Sequence, residues 1–278
     1  MDRIKRFGCT FIALTAGITS AVSAQSGRSS AASTAGTDSV LLAQAFQRAA
    51  GLVPLNSLLI ARDGKLIGER YFRGMRRDRA VNIKSASKSI ISALVGIAIQ
   101  QGKLRLDQPI AELLPEHFRA INDPVKRTVT VRHLLSMTAG IESTSFDHYG
   151  SWVASRNWVR NALSRPMTCD PGTCMVYSTG NSHILSTILT RVTGLSTRAY
   201  ANRYLFGPLG ISIGGWTRDP QGVYLGGNEM QLTPRQLLRF GQLYLDGGRA
   251  GSRQLLGVDW IRESWGEYAV SPFNGHHY

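Results

Sequence analysis

The sequence predicts a mixed α/β fold of the α+β kind, an antiparallel sheet flanked by helices plus a helical region, with the site between them. Three observations carry this. Two apolar-rich runs, Leu55–Ala61 and Lys65–Phe72, are joined by Asp63-Gly64, the residue pair a tight hairpin turn needs. From Ile90 to Ile99 apolar residues fall on every side of a helical wheel, the pattern of a helix buried all round. Strand-like runs come first, and helical patterns fill the middle of the chain.

Taken in order, the 278 residues open on a segment that reads as an address. Arg3, Lys5 and Arg6 precede an apolar stretch from Phe7 to about Val22, and Val22-Ser23-Ala24 places small residues before a cut at Gln25. That is the pattern of a secretory signal peptide over residues 1–24, implying a periplasmic or secreted protein with no stable membrane insertion after cleavage. The alternative, a membrane anchor, needs about 20 apolar residues, and this run is shorter and broken by Thr, Gly and Ser. Residues 25–37 are Ser/Ala/Gly-rich and read as a flexible leader, leaving residues 38–278 as a single domain.

Within that domain a short helix is expected over Val40–Ala50, the hairpin over 55–72, and the mainly helical region over 85–250. The apolar helix closes at Gly102. Asp107-Gln108-Pro109 starts another, and Thr130–Met137 forms a third with Leu134 and Leu135 inward. Asn181-Ser182 read as N-caps of a helix running through Val192 and closed by Gly194. Thr233-Pro234 opens the next, with proline at its first position, and Gly247-Gly248 ends it.

The composition narrows the function. Hydrophobic residues at 43% and charged residues at 18% exclude a disordered chain. The formal charge is +14, and removing residues 1–24, with three basic residues and Asp2, leaves +12. The charge is arginine-rich and clusters at Arg70, Arg73, Arg76, Arg77 and Arg79, but no nucleic-acid recognition motif accompanies it, so a solvated face is expected and no nucleic-acid partner. Three cysteines exclude a disulfide-built mini-fold. Cys169 and Cys174 flank Asp170-Pro171-Gly172 and form either a small disulfide loop or two reduced thiols. His117, His133, His148, His183, His276 and His277 show no ligand spacing, so neither metal nor cofactor is expected.

The chemistry centres on Ser85-x-x-Lys88. Residues three apart on a helix share a face, so the amine can approach the hydroxyl. A serine is a weak nucleophile until a base takes its proton, and a lysine is that base only if its pKa falls. Burial and the positive end of a helix dipole both lower it. Lys88 is the only charged residue from 85 to 102, at the start of an apolar helix. The motif alone is short enough to recur by chance with a surface lysine, but an all-apolar helix offers no surface. The N–H of Ser85 at that helix start is a natural oxyanion donor. Tyr177 precedes a helix and is either a proton carrier beside a cationic lysine or a half-buried structural residue. Tyr149 and Trp152 line a pocket or pack in the core. Gly210-x-Ser212-x-Gly214 matches the nucleophile-elbow pattern, but Gly215–Pro220 cannot supply the helix that motif requires.

Ser85-Ala86-Ser87-Lys88 with Tyr177-Ser178-Thr179-Gly180-Asn181 resembles the serine β-lactamase-fold hydrolases, a group holding class C β-lactamases, D,D-peptidases, family VIII-type esterases and 6-aminohexanoate-dimer hydrolases. Gly102–Asp107, His133–Gly140 and Leu232-Thr233-Pro234 are similar as well, so the likeness runs over most of residues 55–250. It implies Ser85 as acyl-forming nucleophile, Lys88 as its base and Tyr177 as proton shuttle, acting on a small-molecule ester or amide without a cofactor. It also implies substrate contacts from Thr179 and Asn181. Position 179 is Thr where the class C pattern has Asn, which points away from β-lactams and toward the esterase and aminohexanoate-hydrolase branch. β-Lactamase or D,D-peptidase action, and a non-catalytic binding protein, are the other readings. The family's late Lys-Thr-Gly-type strand has no counterpart between Trp265 and Tyr278, so a truncated chain with an incomplete sheet and poor solubility is expected.

Overall fold

Asp63 and Gly64 adopt φ angles of 49° and 74° in the computed structural model, which describes residues 39–278. Two consecutive positive φ angles give the turn whose twist matches its flanking strands. Strands β1 (Ser57–Arg62) and β2 (Lys65–Tyr71) pair antiparallel across it, with a register shift between Ile60 and Ala61. The signal peptide and leader expected over residues 1–37 lie outside the described residues. Residues 40–278 cluster as one compact unit.

Before the hairpin runs α1 (Ser39–Ala50), with Phe46 and Ala49 buried. Arg73 ties its end to the hairpin by donating to the carbonyls of Ala50 and Leu55. Strand β3 (Val81–Asn82) leads through a 3-10 turn at Lys84–Ala86 into α2 (Ser87–Gln100). Short helices follow: α3 (Ile110–Leu113), α4 (Pro115–Phe118), α5 (Pro124–Arg127), α6 (Val131–Leu135), α7 (Tyr149–Val153) and α8 (Trp158–Ser164). Then come α9 (Thr179–Thr193), α10 (Thr197–Ala201), strand β4 (Gln231–Leu232), α11 (Pro234–Leu245), β5 (Arg249–Ala250), β6 (Arg253–Gln254) and α12 (Val258–Ser264). No helix among the described residues is long and apolar enough to cross a membrane.

Among the described residues the antiparallel sheet takes the form of three separate two-stranded pairs, β1–β2, β3–β4 and β5–β6. The middle pair matters most for the site. Val81 opposes Leu232, Asn82 opposes Gln231, and the Ile83 amide donates to the Met230 carbonyl at 2.9 Å. This brings the stretch from about 226 to 232 alongside the start of α2.

Helix α2 packs against α9, and both contribute to one continuous core with Ile90, Leu94, Ile97, Ile184, Leu185 and Ile188 buried. The expectation of burial on every side is corrected along one stripe. Ser89 is exposed and Ser92 half-buried, and both face a cleft of about 550 Å³ lined also by Met137, Phe240, Tyr244 and Trp265. Ser89 and Ser92, small residues where the rest of that face would carry larger apolar ones, leave the stripe unfilled. Helix α11 starts as its sequence predicts: the Thr233 hydroxyl caps the Gln236 amide, Gln236 reaches back to the Thr233 amide, and Pro234 needs no partner. Arg235 on that helix donates from Nε and Nη2 to both carboxylate oxygens of Glu69 on β2, joining the hairpin to the helical part.

Candidate active site

Ser85 sits in the 3-10 turn rather than in α2 itself, exposed, with Ala86 continuing the helical path at φ −60° into Ser87. Lys88 is the second residue of α2 and only 8% exposed. Its Nζ lies 3.3 Å from Ser85 Oγ. Burial pulls the amine down from an ordinary 10.5 to about 7, so the neutral form is available near neutrality. Lys84, just before Ser85, holds a positive φ of 53°, an uncommon conformation for a side-chain-bearing residue, with its amide donating to Asn82 Oδ1 at 2.8 Å.

The second partner of Lys88 was not anticipated. Nζ donates to the carbonyl of Gly227 at 2.7 Å. Gly226-Gly227 reaches this place through the β3–β4 pairing and passes so close that a side chain at either position must displace its neighbours. A Cβ on Gly226 would stand 1.9 Å from the Ser182 carbonyl, and one on Gly227 would stand 2.8 Å from Thr179 Cγ2 and 3.1 Å from Lys88 Nζ. The adjacent glycines were the available signal, with no local pattern to tie them to Lys88.

Tyr177 is half-buried, and its ring centroid lies 5.0 Å from Lys88 Nζ, where the π-face favours the ammonium form. Phe146 packs 5.8 Å from the same ring, and Tyr278 meets it edge-on at 6.5 Å. The pair Cys169–Cys174 is disulfide-bonded and closes the loop ahead of Tyr177.

The remaining expected residues divide. Thr179 lies at the site, its methyl beside Gly227, but its hydroxyl is turned to Ser145 Oγ at 2.9 Å and the residue is buried. Asn181, expected at the substrate, is instead 3% exposed, and its amide points at Met137 Sδ inside the protein. Trp152, left open between a pocket wall and the core, is fully buried, with its indole N–H given to the Trp158 carbonyl at 2.9 Å. Tyr149 is half-buried, and its hydroxyl accepts from Asn228 Nδ2 at 3.2 Å, next to Gly227. The expected Asn181-Ser182 caps are displaced, because α9 begins at Thr179 and its first amides are capped by side chains from residues 144 and 145. Ser212 lies between Ile211 and Ile213 with no helix following it, and its carbonyl accepts from Gln236. His183 is buried and pairs with Asp219 at 3.0 Å, a polar pair formed across 36 residues of sequence.

A serine hydroxyl, a buried amine of lowered pKa and a phenol thus share one corner where α2, the Tyr177 loop and the Gly226-Gly227 stretch meet. The family model described as Beta-lactamase matches residues 42–277. The 6-aminohexanoate-dimer hydrolase of Paenarthrobacter ureafaciens is 26% identical over 222 residues, 74% of this chain and 56% of that protein. Esterase EstB of Burkholderia gladioli is 26% identical over 175 residues, 55% of this chain and 44% of that protein. The chain therefore spans about half the length of these curated relatives. Among solved structures, the D-stereospecific amidohydrolase of a Streptomyces species superposes with a TM-score of 0.65 at 19% identity, over 84% of this chain and 79% of that one.

Proposed function

The chain belongs to the beta-lactamase family, and from that premise we propose that it is an exported serine hydrolase that cleaves an ester or amide through an acyl-enzyme on Ser85. The observation that carries this reading is the placement of Lys88 Nζ, 3.3 Å from Ser85 Oγ and 2.7 Å from the Gly227 carbonyl. A neutral amine giving one N–H to that carbonyl turns its lone pair toward the serine. Ser85 Oγ attacks the substrate carbonyl as Lys88 takes its proton, and the C–O bond to serine forms. The new ammonium sits over the Tyr177 ring. Tyr177 passes a proton to the leaving alkoxide or amine as the scissile bond breaks, and Lys88 replenishes it. Water then adds to the acyl carbon as Lys88 takes one of its protons; the bond from that carbon to Ser85 Oγ breaks, the carboxylic acid leaves, and Lys88 returns the proton to Ser85.

An ester or simple amide fits better than a β-lactam. Position 179 carries no side-chain amide, and its hydroxyl is already bonded to Ser145. The relatives named for aminohexanoate-dimer and ester hydrolysis support the same preference. The test is turnover of p-nitrophenyl esters by the folded chain beside Ser85→Ala, with nitrocefin as the competing substrate. Ester turnover that vanishes in the variant is expected. Turnover unchanged by the substitution overturns the assignment, and nitrocefin turnover matching ester turnover overturns the preference.

A further inference from the structure

We propose that Ser143-Thr144-Ser145 is a positioning segment that sets Tyr177 against Lys88, holding the backbone from the tyrosine's own carbonyl through Gly180 from 34 to 36 residues away. This rests on Tyr177 working with Lys88 as read above. The three residues reach consecutive backbone and side-chain groups in order. Ser143 Oγ donates to the Tyr177 carbonyl at 2.6 Å. The Thr144 amide donates to Ser178 Oγ at 3.1 Å. Ser145 Oγ accepts from the Thr179 amide at 2.9 Å, and Thr144 Oγ1 from the Gly180 amide at 2.7 Å.

An ordinary helix start is capped by the residue just before it. Here Ser178 occupies that place and makes no such bond; its hydroxyl is turned to Thr144 instead. The remote segment therefore supplies what α9 lacks and also binds the Tyr177 carbonyl, which no helix cap requires. The segment is itself braced. Arg165 Nη1 donates to the Ser143 carbonyl at 3.1 Å and to Glu142 Oε2 at 2.7 Å, and the Glu142 amide donates to the Pro166 carbonyl at 2.9 Å. The next residue, Phe146, takes a positive φ of 55° while leaving its ring 62% exposed beside Tyr177. An uncommon backbone conformation that buries little is explained by where it puts that ring.

The test compares wild type, Thr144→Val, Thr144→Ser, Ser143→Ala and Ser85→Ala in two measurements on the full chain. One is the rate of fluorophosphonate labelling at Ser85, and the other is amide hydrogen exchange at Thr179 and Gly180. Thr144→Val, nearly isosteric but without the acceptor, is expected to label at least tenfold more slowly and to exchange Gly180 at least tenfold faster. Thr144→Ser is expected to restore both to within about twofold. Ser143→Ala, which leaves both helix amides capped, is expected to slow labelling with little change in their exchange, and it carries the test if Thr144→Val does not fold. Labelling at the wild-type rate in Thr144→Val or Ser143→Ala overturns the proposal, as does a Thr144→Ser protein as slow as the valine variant. If wild type and Ser85→Ala are labelled alike, the hydrolase reading fails. The positioning segment is then judged on exchange alone, and unchanged Gly180 exchange in Thr144→Val overturns it.

Discussion

Lys88 Nζ donates to the carbonyl of Gly227 at 2.7 Å, across 139 residues of sequence. That bond fixes where the amine sits. With one N–H committed to a fixed carbonyl, Nζ is held 3.3 Å from Ser85 Oγ, and in the proposed mechanism its lone pair takes the serine proton. Burial supplies the rest by making the neutral form accessible near pH 7.

The first prediction concerns rate against pH. Only the neutral amine accepts a proton, so kcat/KM for an ester is expected to climb through an acid limb centred near the Lys88 value of about 7. Lys88→Arg fixes a cation at the same place and is expected to lose about 10²–10⁴-fold in kcat/KM. A pH–rate series from 5.5 to 9 at constant ionic strength checks this. A flat profile between 6 and 8 would sink the assignment of Lys88 as base.

The second concerns stability. The unfolded chain keeps the ordinary lysine value of 10.5 while the folded chain holds about 7, so between those limits the unfolded state binds the extra proton. Stability therefore rises with pH across that window, and the full cost of burying Lys88 is felt below pH 7. Lys88→Met removes the titrating group and keeps most of the volume. It is expected to stabilise the chain, and by about 2–3 kcal/mol more at pH 6 than at pH 9. Urea unfolding of both proteins at the two pH values reads the difference. Equal increments would show that Lys88 is not buried as a neutral amine.

The hairpin, α2 and α11 were legible because their signals are local. Asp63-Gly64 makes its turn without outside help, and Thr233-Pro234-x-Gln236 caps its own helix. Ser85 and Lys88 were legible for the same reason, one helical turn apart. The start of α9 was misread because its cap comes from Thr144 and Ser145, so the nearby Asn181 and Ser182 looked suitable and were in fact buried. Gly227 was invisible because a two-residue strand pair brings it to Lys88, and two residues show no periodicity. Trp152 was undecided because an aromatic at helical spacing suits a pocket wall and a core equally; Trp158 and His183 against its ring settle it as core.

The third prediction tests the glycine. Gly227→Ala would place its methyl 2.8 Å from Thr179 Cγ2 and 3.1 Å from Lys88 Nζ. The neighbours must move, and the lysine is the more flexible of the two. Overpacking of this kind costs about 1–3 kcal/mol. Ser85 labelling is expected to fall at least tenfold while the chain stays folded at 25 °C. Labelling at the wild-type rate, with stability unchanged, would mean that the close approach has no consequence for Lys88.

The last prediction concerns the buried pair beneath the site. Asp219 Oδ2 lies 3.0 Å from His183 Nε2, and its Oδ1 accepts from the amides of Gln221 and Val223 at 2.9 and 2.8 Å. Burial alone would raise this carboxyl, but the hydrogen bond and charge of His183, with the two amides, outweigh it and hold it below its ordinary 3.8. A depressed carboxylate contributes stability above its unfolded value and loses it as the pH falls through the folded one. Asp219→Ala is therefore expected to cost about 3–5 kcal/mol at pH 7, because the histidine and two amides lose their acceptor together. The gap from wild type should narrow as the pH falls below about 3.8, where Asp219 of the unfolded chain takes up its proton before that of the folded chain does. The same substitution frees the turn from 219 to 223, which runs straight on to Gly226-Gly227, so Ser85 labelling should fall along with stability. Urea unfolding across pH 3 to 7 with labelling at pH 7.5 measures both. A loss under 1 kcal/mol at pH 7 would show that His183 and Asp219 merely sit together without holding that turn in place.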